Sequence, residues 1–288
     1  MSRDDVLEEL AIELLDRLPK NVISRGVGAL TEVALPGPIQ AIVNEAFARL
    51  ADIDTEEAEQ PPRSYRTLNA FFTRRLRPSA RPIEAQDRRT VVSPVDGTLS
   101  TFGSVDDGRL LQAKGRTYTL VDLLDSGAHA REFTGGAYAT IYLSPTDYHR
   151  IHSPVRGTIR EISYIPGHLF PVFPLAVRNV DRLFAINERL ISFIDVDGGG
   201  RVAVVKVGAT CVGRIRLSYR DWETNGNHRR RRVERLEDPH EVEHGEEIGL
   251  FNPGSTVILL FSDPSFRLSS HFQQGDPLAM GETLGGWG

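Results

Sequence analysis

The chain has 288 residues, 40% hydrophobic and 25% charged, with a formal net charge of −5. That is enough for one substantial core or two small ones, and the acidic balance argues against a nucleic-acid binder that relies on a basic surface. One cysteine, Cys211, excludes an internal disulfide and a multi-cysteine metal site, and no apolar run approaches the ~18 residues of a spanning helix.

The opening Ser2-Arg3-Asp4-Asp5 lacks the basic-then-apolar order of a secretory signal. Leu7, Leu10, Ala11, Leu14, Leu15 and Leu18 then recur at helical spacing until Pro19 interrupts. A second apolar segment runs from Val22 through Val27 and Leu30 to Leu35, closed by Pro36-Gly37-Pro38. A third carries Ile39, Ile42, Val43, Ala46, Phe47 and Leu50. Such amphipathic helices suit a cap packed on the main domain, or helices lying in a bilayer surface. Residues 1–60 hold 13 acidic and 5 basic side chains, a net −8; residues 61–288 hold 26 and 29, a net +3. The break at Pro61-Pro62 predicts a boundary between a helical region, 1–60, and a β-rich domain, 61–288.

From Tyr65 the run RTLNAFFTRRL reads as a short helix with Thr67 as N-cap. Strands are predicted at Val91-Val92, Ala137 to Leu143, Ile159 to Ile165, Leu190 to Val196, Val202 to Val207, Ile215 to Tyr219 and Thr256 to Phe261. Thr119 with Asp122, and Ser144-Pro145 with Asp147, have capping-box spacing. The latter predicts a short helical turn bearing His149 and His152. SPVDGTL at 93–99 echoes SPVRGTI at 153–159, each a tight turn entering a strand. Gly275-Asp276-Pro277-Leu278 and Gly281-Glu282-Thr283-Leu284 form another hairpin-like pair. The fold class is therefore α+β: a compact, mainly antiparallel β core with an internal pseudo-repeat of turn-strand units, preceded by amphipathic helices.

Three candidate groups adjoin such turns. Asp96 lies in SPVDG, His149 and His152 in DYHRIHSP, and Ser255 in FNPGSTVILLFS. Asp, His and Ser together can activate a hydroxyl: the imidazole takes the proton and the carboxylate holds its tautomer. Each also has a plain reading. Asp96-Gly97 is a common turn pair, and Asn-Pro-Gly-Ser is an ordinary type II turn. The histidines at three-residue spacing suit a metal only with further ligands, and none is patterned here. The run Arg229 to Arg232 reads as a solvated surface.

Several blocks in order tie these residues to one family. They are 64–72 SYRTLNAFF, 73–83 TRRLRPSARPI, 93–98 SPVDGT, 147–154 DYHRIHSP, 167–172 GHLFPV, 184–189 FAINER and 246–262 EEIGLFNPGSTVILLFS. With them the chain resembles bacterial phosphatidylserine decarboxylases from about Leu18 to its end. Two positions depart from the family pattern: Pro253 stands where Leu usually precedes Gly-Ser-Thr, and Phe173 where Asn often follows the FPV element.

The resemblance implies a zymogen that cleaves itself between Gly254 and Ser255, giving chains 1–254 and 255–288, with Ser255 converted to a covalent pyruvoyl cofactor on Thr256. His152, oriented by Asp96, would withdraw the Ser255 proton so that Oγ attacks the Gly254 carbonyl. Elimination of the resulting ester and loss of ammonia would follow. The pyruvoyl carbonyl would then take up the substrate amine and draw off the electrons released with CO₂, and His149 would donate the replacing proton. Phosphatidylserine would become phosphatidylethanolamine in phospholipid biosynthesis, with no metal and no nucleic acid involved. The enzyme would sit peripherally on the cytoplasmic side of the cell membrane, with a homodimer as one permitted assembly. Two other readings stand beside it. One is a relative acting on a free amino acid or another serine-headgroup lipid. The other is a non-catalytic β module like biotinyl or lipoyl carriers, which would need an exposed lysine such as Lys114 or Lys206.

Overall fold

The computed structural model describes residues 20–113, 115–210, 214–224, 230–252 and 255–288. The helix expected over Leu7 to Leu18 lies outside them, as do Pro253, Gly254, Cys211 and Lys114. The chain starts with α1 (Lys20–Thr31), α2 (Gly37–Leu50) and, past a 3-10 turn at Pro62–Ser64, α3 (Leu68–Phe72). Pro36 closes the preceding stretch and Pro38 sits in the first turn of α2, where its missing N–H costs nothing. Thr67 caps α3 as expected, accepting from the Ala70 N–H.

Then follow β1 (Thr90–Val92), β2 (Gly97–Ser104), β3 (Arg109–Ala113), β4 (Arg116–Thr119), α4 (Leu120–Leu124), α5 (Gly127–Phe133), β5 (Ala137–Leu143), β6 (Arg150–His152) and β7 (Gly157–Ile165). After them come α6 (Pro174–Asn179), α7 (Leu183–Ile186), β8 (Arg189–Val196), β9 (Arg201–Val207), β10 (Ile215–Leu217), β11 (Arg232–Val242) and β12 (Glu247–Phe251). The last strands are β13 (Ser255–Phe261), β14 (Phe266–Leu268), β15 (Pro277–Leu278) and β16 (Thr283–Trp287). The Thr119–Asp122 capping box forms at the start of α4.

An eight-stranded sheet runs β11-β7-β8-β9-β13-β5-β2-β15, and two three-stranded sheets run β1-β16-β14 and β10-β12-β6. Pairing between these strands is antiparallel throughout. The small sheets cover one face of the large one, enclosing Val91, Ile151, Ile215, Ile248, Val257, Leu259 and Leu284. Short helices cover the other face, over Leu120, Phe133, Leu183, Phe184, Ile258 and Leu260. Strands buried on both faces need near-continuous apolar runs, and β13 supplies one: every residue of it is buried.

The echo at 93–99 and 153–159 is the visible part of a nested duplication. Strands β6 to β12 form one half, inserted between β5 and β13 of the other. Ser93 and Ser153 each donate from Oγ to the carbonyl two residues on, both at 2.7 Å. The two turns also bond each other, His152 N–H to Pro94 O at 2.8 Å and Val92 N–H to Pro154 O at 2.9 Å. A Cβ on Gly97 would lie 2.3 Å from the Tyr142 carbonyl oxygen, and one on Gly157 2.3 Å from that of Asp195. Both positions therefore require glycine for close approach. A second echo, Gly245 to Gly249 against Gly281 to Gly285, opens β12 and β16 with left-handed glycines at φ 74° and 89°. The halves meet where β9 pairs with β13, and Ser255 lies at the end of that ladder, next to the Thr256–Val207 pair.

Candidate active site

Ser255 heads β13, in register with Leu143 of β5, while Thr256 pairs with Val207 of β9. Alternation along the strand turns Ser255 to the face of Val257 and Leu259, toward the small sheets. Ser255 is fully buried. Among the described residues its Oγ has no hydrogen-bond partner, and neither does Thr256 Oγ1. Leaving a hydroxyl unpaired in an interior costs about 1–3 kcal/mol, so stability does not explain the serine. The Gly254 side of the expected scissile bond lies outside the described residues. The flanking chain is tied down: Phe251 N–H donates to His149 O at 2.9 Å, and Asn252 N–H to Arg214 O at 3.0 Å.

His149 and His152 do not share a helical turn. The segment from Ser144 is a turn closed by Asp147 Oδ2, which accepts the Ser144 N–H at 2.6 Å, and the chain then extends into β6. The capping-box spacing thus made a turn, because pairing of β6 with β12 overrides one helical turn's propensity. His149 is wholly buried, and its Nδ1 donates to Asp147 O at 2.8 Å. Its ring packs on Phe72 of α3, centroids 4.2 Å apart, and Phe72 in turn meets Phe47 of α2 at 6.3 Å. An aromatic chain thus joins the N-terminal helices to His149.

His152 donates from Nδ1 to Gly245 O at 2.7 Å and accepts at Nε2 from the Tyr148 hydroxyl at 3.0 Å. A carbonyl can only accept, so the tautomer is fixed with the lone pair on Nε2. Asp96 is engaged elsewhere. Arg81 grips it with Nε on Oδ1 at 2.8 Å and Nη2 on Oδ2 at 2.7 Å, and Met280 N–H donates to Oδ1 at 2.8 Å. Arg81 also holds Glu57 at 2.8 and 2.9 Å. The expected Asp96–His152 hydrogen bond is therefore replaced: a guanidinium outcompetes a neutral imidazole for a carboxylate, and Gly245 sets the tautomer instead. Asp96 still acts on His152 through space, from a turn bonded to the His152 backbone. Ser255 makes no hydrogen bond to either histidine. Arg81, Tyr148, Gly245 and Phe72 were not singled out from the sequence. Two signals pointed at them: the TRRLRPSARPI block for Arg81, and the Gly245/Gly281 echo for Gly245.

Burial pushes the pKa of both histidines down, to about 3 for His149. His149 is therefore neutral here, so the imidazolium donor expected from the sequence needs an anionic neighbour to form. Both histidines bind protons more weakly folded than unfolded. Their contribution to stability is complete above the ordinary value near 6.5 and is lost as pH falls below it. Urea midpoints of an uncleaved Ser255→Ala chain are expected to fall between pH 7 and pH 5, with a smaller fall in a chain also carrying His149→Gln. A flat profile would contradict the neutral burial.

Among the described residues no group of three or more His, Cys, Asp or Glu is placed to hold a metal ion. Lys206 is fully buried, beyond reach of the partner enzymes a carrier lysine must meet.

The phosphatidylserine decarboxylase family model matches residues 68–286. The phosphatidylserine decarboxylase proenzyme of Myxococcus xanthus (strain DK1622) is 44% identical over 278 residues, covering 96% of this chain and 98% of the relative. The chain belongs to the phosphatidylserine decarboxylase family. The proenzyme of Anaeromyxobacter sp. (strain K) is 47% identical over 282 residues, covering 97% of this chain and 99% of its own. That of Brevibacillus brevis is 44% identical over 272 residues, covering 94% and 95%. These family relatives match the chain along its length, N-terminal helices included.

Proposed function

We propose that this chain decarboxylates phosphatidylserine to phosphatidylethanolamine at a bilayer surface, after scission at Gly254–Ser255 turns Ser255 into a pyruvoyl group. The observation that carries this reading is the buried, unpartnered Ser255 Oγ at the head of a central strand. The surroundings fit the group: a methyl takes the place of the CH₂OH and needs no hydrogen-bond partner, and the described interior offers none there. Once formed, the group supplies a carbonyl that takes up the substrate's primary amine and accepts the electrons left when CO₂ departs.

The chain's own residues act before and around it. His152 Nε2 takes the Ser255 Oγ proton once the Tyr148 hydroxyl releases it. Oγ bonds to the Gly254 carbonyl carbon, and the proton passes to the Ser255 nitrogen as the peptide bond breaks. Loss of the Ser255 α-proton then expels the Gly254 carboxylate, and water replaces the nitrogen, released as ammonia. Asp96, held by Arg81, keeps a negative charge near His152. His149 protonates the substrate carbon after CO₂ leaves; an anionic headgroup beside it favours the protonated form that burial alone opposes.

A diacyl lipid stays in its bilayer, so the site must meet the membrane. No helix of the described residues is long enough and apolar enough to cross one. Peripheral attachment is supported by α2, whose polarity is inverted. Its buried side is Gln40, Asn44 and Ala48, with Asn44 donating to the carbonyls of Pro62 and Tyr65. Ile39, Ile42 and Leu50 point outward, Leu50 at 88% exposure, as do Val22 and Leu30 of α1. An apolar outer face of this size marks a docking surface. Combined Ile42→Asp and Leu50→Asp substitution is expected to lower flotation with phosphatidylserine-containing vesicles at least tenfold, since each buried aliphatic side chain is worth about 1.5–3 kcal/mol. Self-cleavage should persist; unchanged flotation would remove α2 from the interface.

The activity is tested with detergent-dispersed phosphatidylserine, following CO₂ and phosphatidylethanolamine, against free serine in parallel. Turnover of lipid with none of serine is the expected result. Turnover of serine alone would overturn the lipid assignment.

A further inference from the structure

Arg74 follows α3 and is 4% exposed, yet its guanidinium is poorly partnered. Nη2 reaches the Thr146 carbonyl at 3.4 Å. Nε and Nη1 are buried with no hydrogen-bond partner among the described residues. The Phe71 ring lies 5.7 Å from Cζ. Asp96 and Glu57 attract it through space, but both carboxylates are already forked by Arg81. A buried cation without its own counter-ion is costly, and an arginine cannot shed its charge to escape. Its two idle donors lie in the rigid fork that binds an oxyanion.

The position narrows the anion. On the inner side Arg74 bonds the loop of Thr146 and Asp147 that orients His149, and its charge is felt by that imidazole. On the outer side it lines a surface pocket of about 450 Å³ with Tyr65, Arg66, Thr73, Arg75 and Arg150. Ala70 of α3 also lines that pocket, and α3 packs on α2 through Phe71 and Phe72 against Phe47. Arg74 thus stands between the bilayer-facing helices and the reacting end of the site. The substrate headgroup carries two anions, a carboxylate and a phosphodiester. A guanidinium paired with the carboxylate would stabilise the charge that must leave as neutral CO₂, favouring the ground state over the transition state. The phosphodiester keeps its charge throughout, so pairing it opposes no step.

We propose that Arg74 binds the phosphodiester of the substrate headgroup and so positions the amino acid end against residue 255 and His149. This rests on the reading of the site as one that acts on phosphatidylserine. Turnover of the lipid by the wild-type enzyme tests that reading separately from Arg74.

The test uses mature wild-type, R74K and R74Q enzyme, each first checked for cleavage into two chains. Binding of glycerophosphocholine, a phosphodiester with neither carboxylate nor primary amine, is read by phosphorus NMR titration. O-methylserine, which has amine and carboxylate but no phosphate, is read by reductive trapping on chain 255–288 and mass measurement. R74Q should weaken glycerophosphocholine binding and raise the KM for phosphatidylserine about 10- to 100-fold, with R74K intermediate and O-methylserine trapping unchanged. Should R74Q fail to mature, R74K alone decides, with a loss of at least threefold expected. Slower trapping of O-methylserine with unchanged glycerophosphocholine binding would give the guanidinium to the carboxylate and overturn the proposal. So would no change in either. Inorganic phosphate binding more tightly than the diester would make this a free-phosphate site and equally overturn it.

Discussion

Ser255→Ala is expected to give a folded, full-length chain with no measurable decarboxylation and no loss of stability. Most buried serines repay their desolvation through a hydrogen bond, and their removal destabilises. Ser255 Oγ has no such bond among the described residues, so alanine removes an unsatisfied polar atom and leaves β13 with its ladder to β5 and β9 intact. The unfolding free energy should match the precursor's or exceed it by up to about 1 kcal/mol. Activity should vanish, because without Oγ no ester forms at Gly254 and no Cα–Cβ elimination can turn the Ser255 Cα into the ketone carbon. A gel, a denaturant titration and a CO₂ assay check the three parts. Two normal fragments from this variant would remove Ser255 from its role.

His152→Ala is expected to slow self-cleavage about 10²–10⁴-fold, the usual contribution of a positioned base. The pH dependence is the sharper part. Burial lowers the His152 pKa, so the imidazole stays neutral, and competent to accept a proton, below the ordinary value near 6.5. The wild-type rate should therefore hold through pH 6.5 and fall only under more acid conditions. Glu247, Arg150 and Asp96 also face this ring, with Glu247 and Asp96 opposing the depression and Arg150 adding to it. Tyr148→Phe removes a donor that favours the neutral ring, so its acid limb should move up toward 6.5. Asp96→Asn keeps the shape but drops the charge that Arg81 grips. It is expected to slow cleavage and to cost about 1.5–3 kcal/mol, the worth of a hydrogen bond to a charged group. Cleavage of His152→Ala at the wild-type rate would dismiss His152 as the base.

The sequence revealed the parts of this fold that are buried on both faces. Ala137–Leu143 was bounded correctly, and β7, β8, β9 and β13 fell within two residues of their predicted limits, because long β-branched runs have few other solutions. β11 was missed. It reads RVERLEDPHEV and lies at the sheet's edge, mostly exposed, so no apolar alternation announces it. β12 and β16 were missed for another reason: Gly249, Gly285 and Gly286 are there because neighbouring backbone leaves no room for a Cβ, which only the paired strand reveals. The seven-residue echo was legible; the nesting of one half inside the other was not, since topology has no local signature.

For the candidate site, residue types could be read but partnerships could not. Asp96, His149, His152 and Ser255 were named from turns and blocks, and the turn of Asp96 is bonded to the His152 backbone. That Arg81 would claim Asp96, and Gly245 fix His152, depends on contacts across 15 and 93 positions. Arg74 lay inside a quoted block, yet its two unpartnered nitrogens emerge only from the packed interior.

The most direct measurement is the intact mass of freshly purified protein, before and after treatment with a carbonyl reagent. The expected result is two chains, 1–254 and 255–288, their summed mass equal to the precursor plus one water minus one ammonia, with only the smaller chain gaining the reagent. An active preparation that remains one polypeptide of 32.0 kDa and takes up no reagent would contradict the conversion of Ser255.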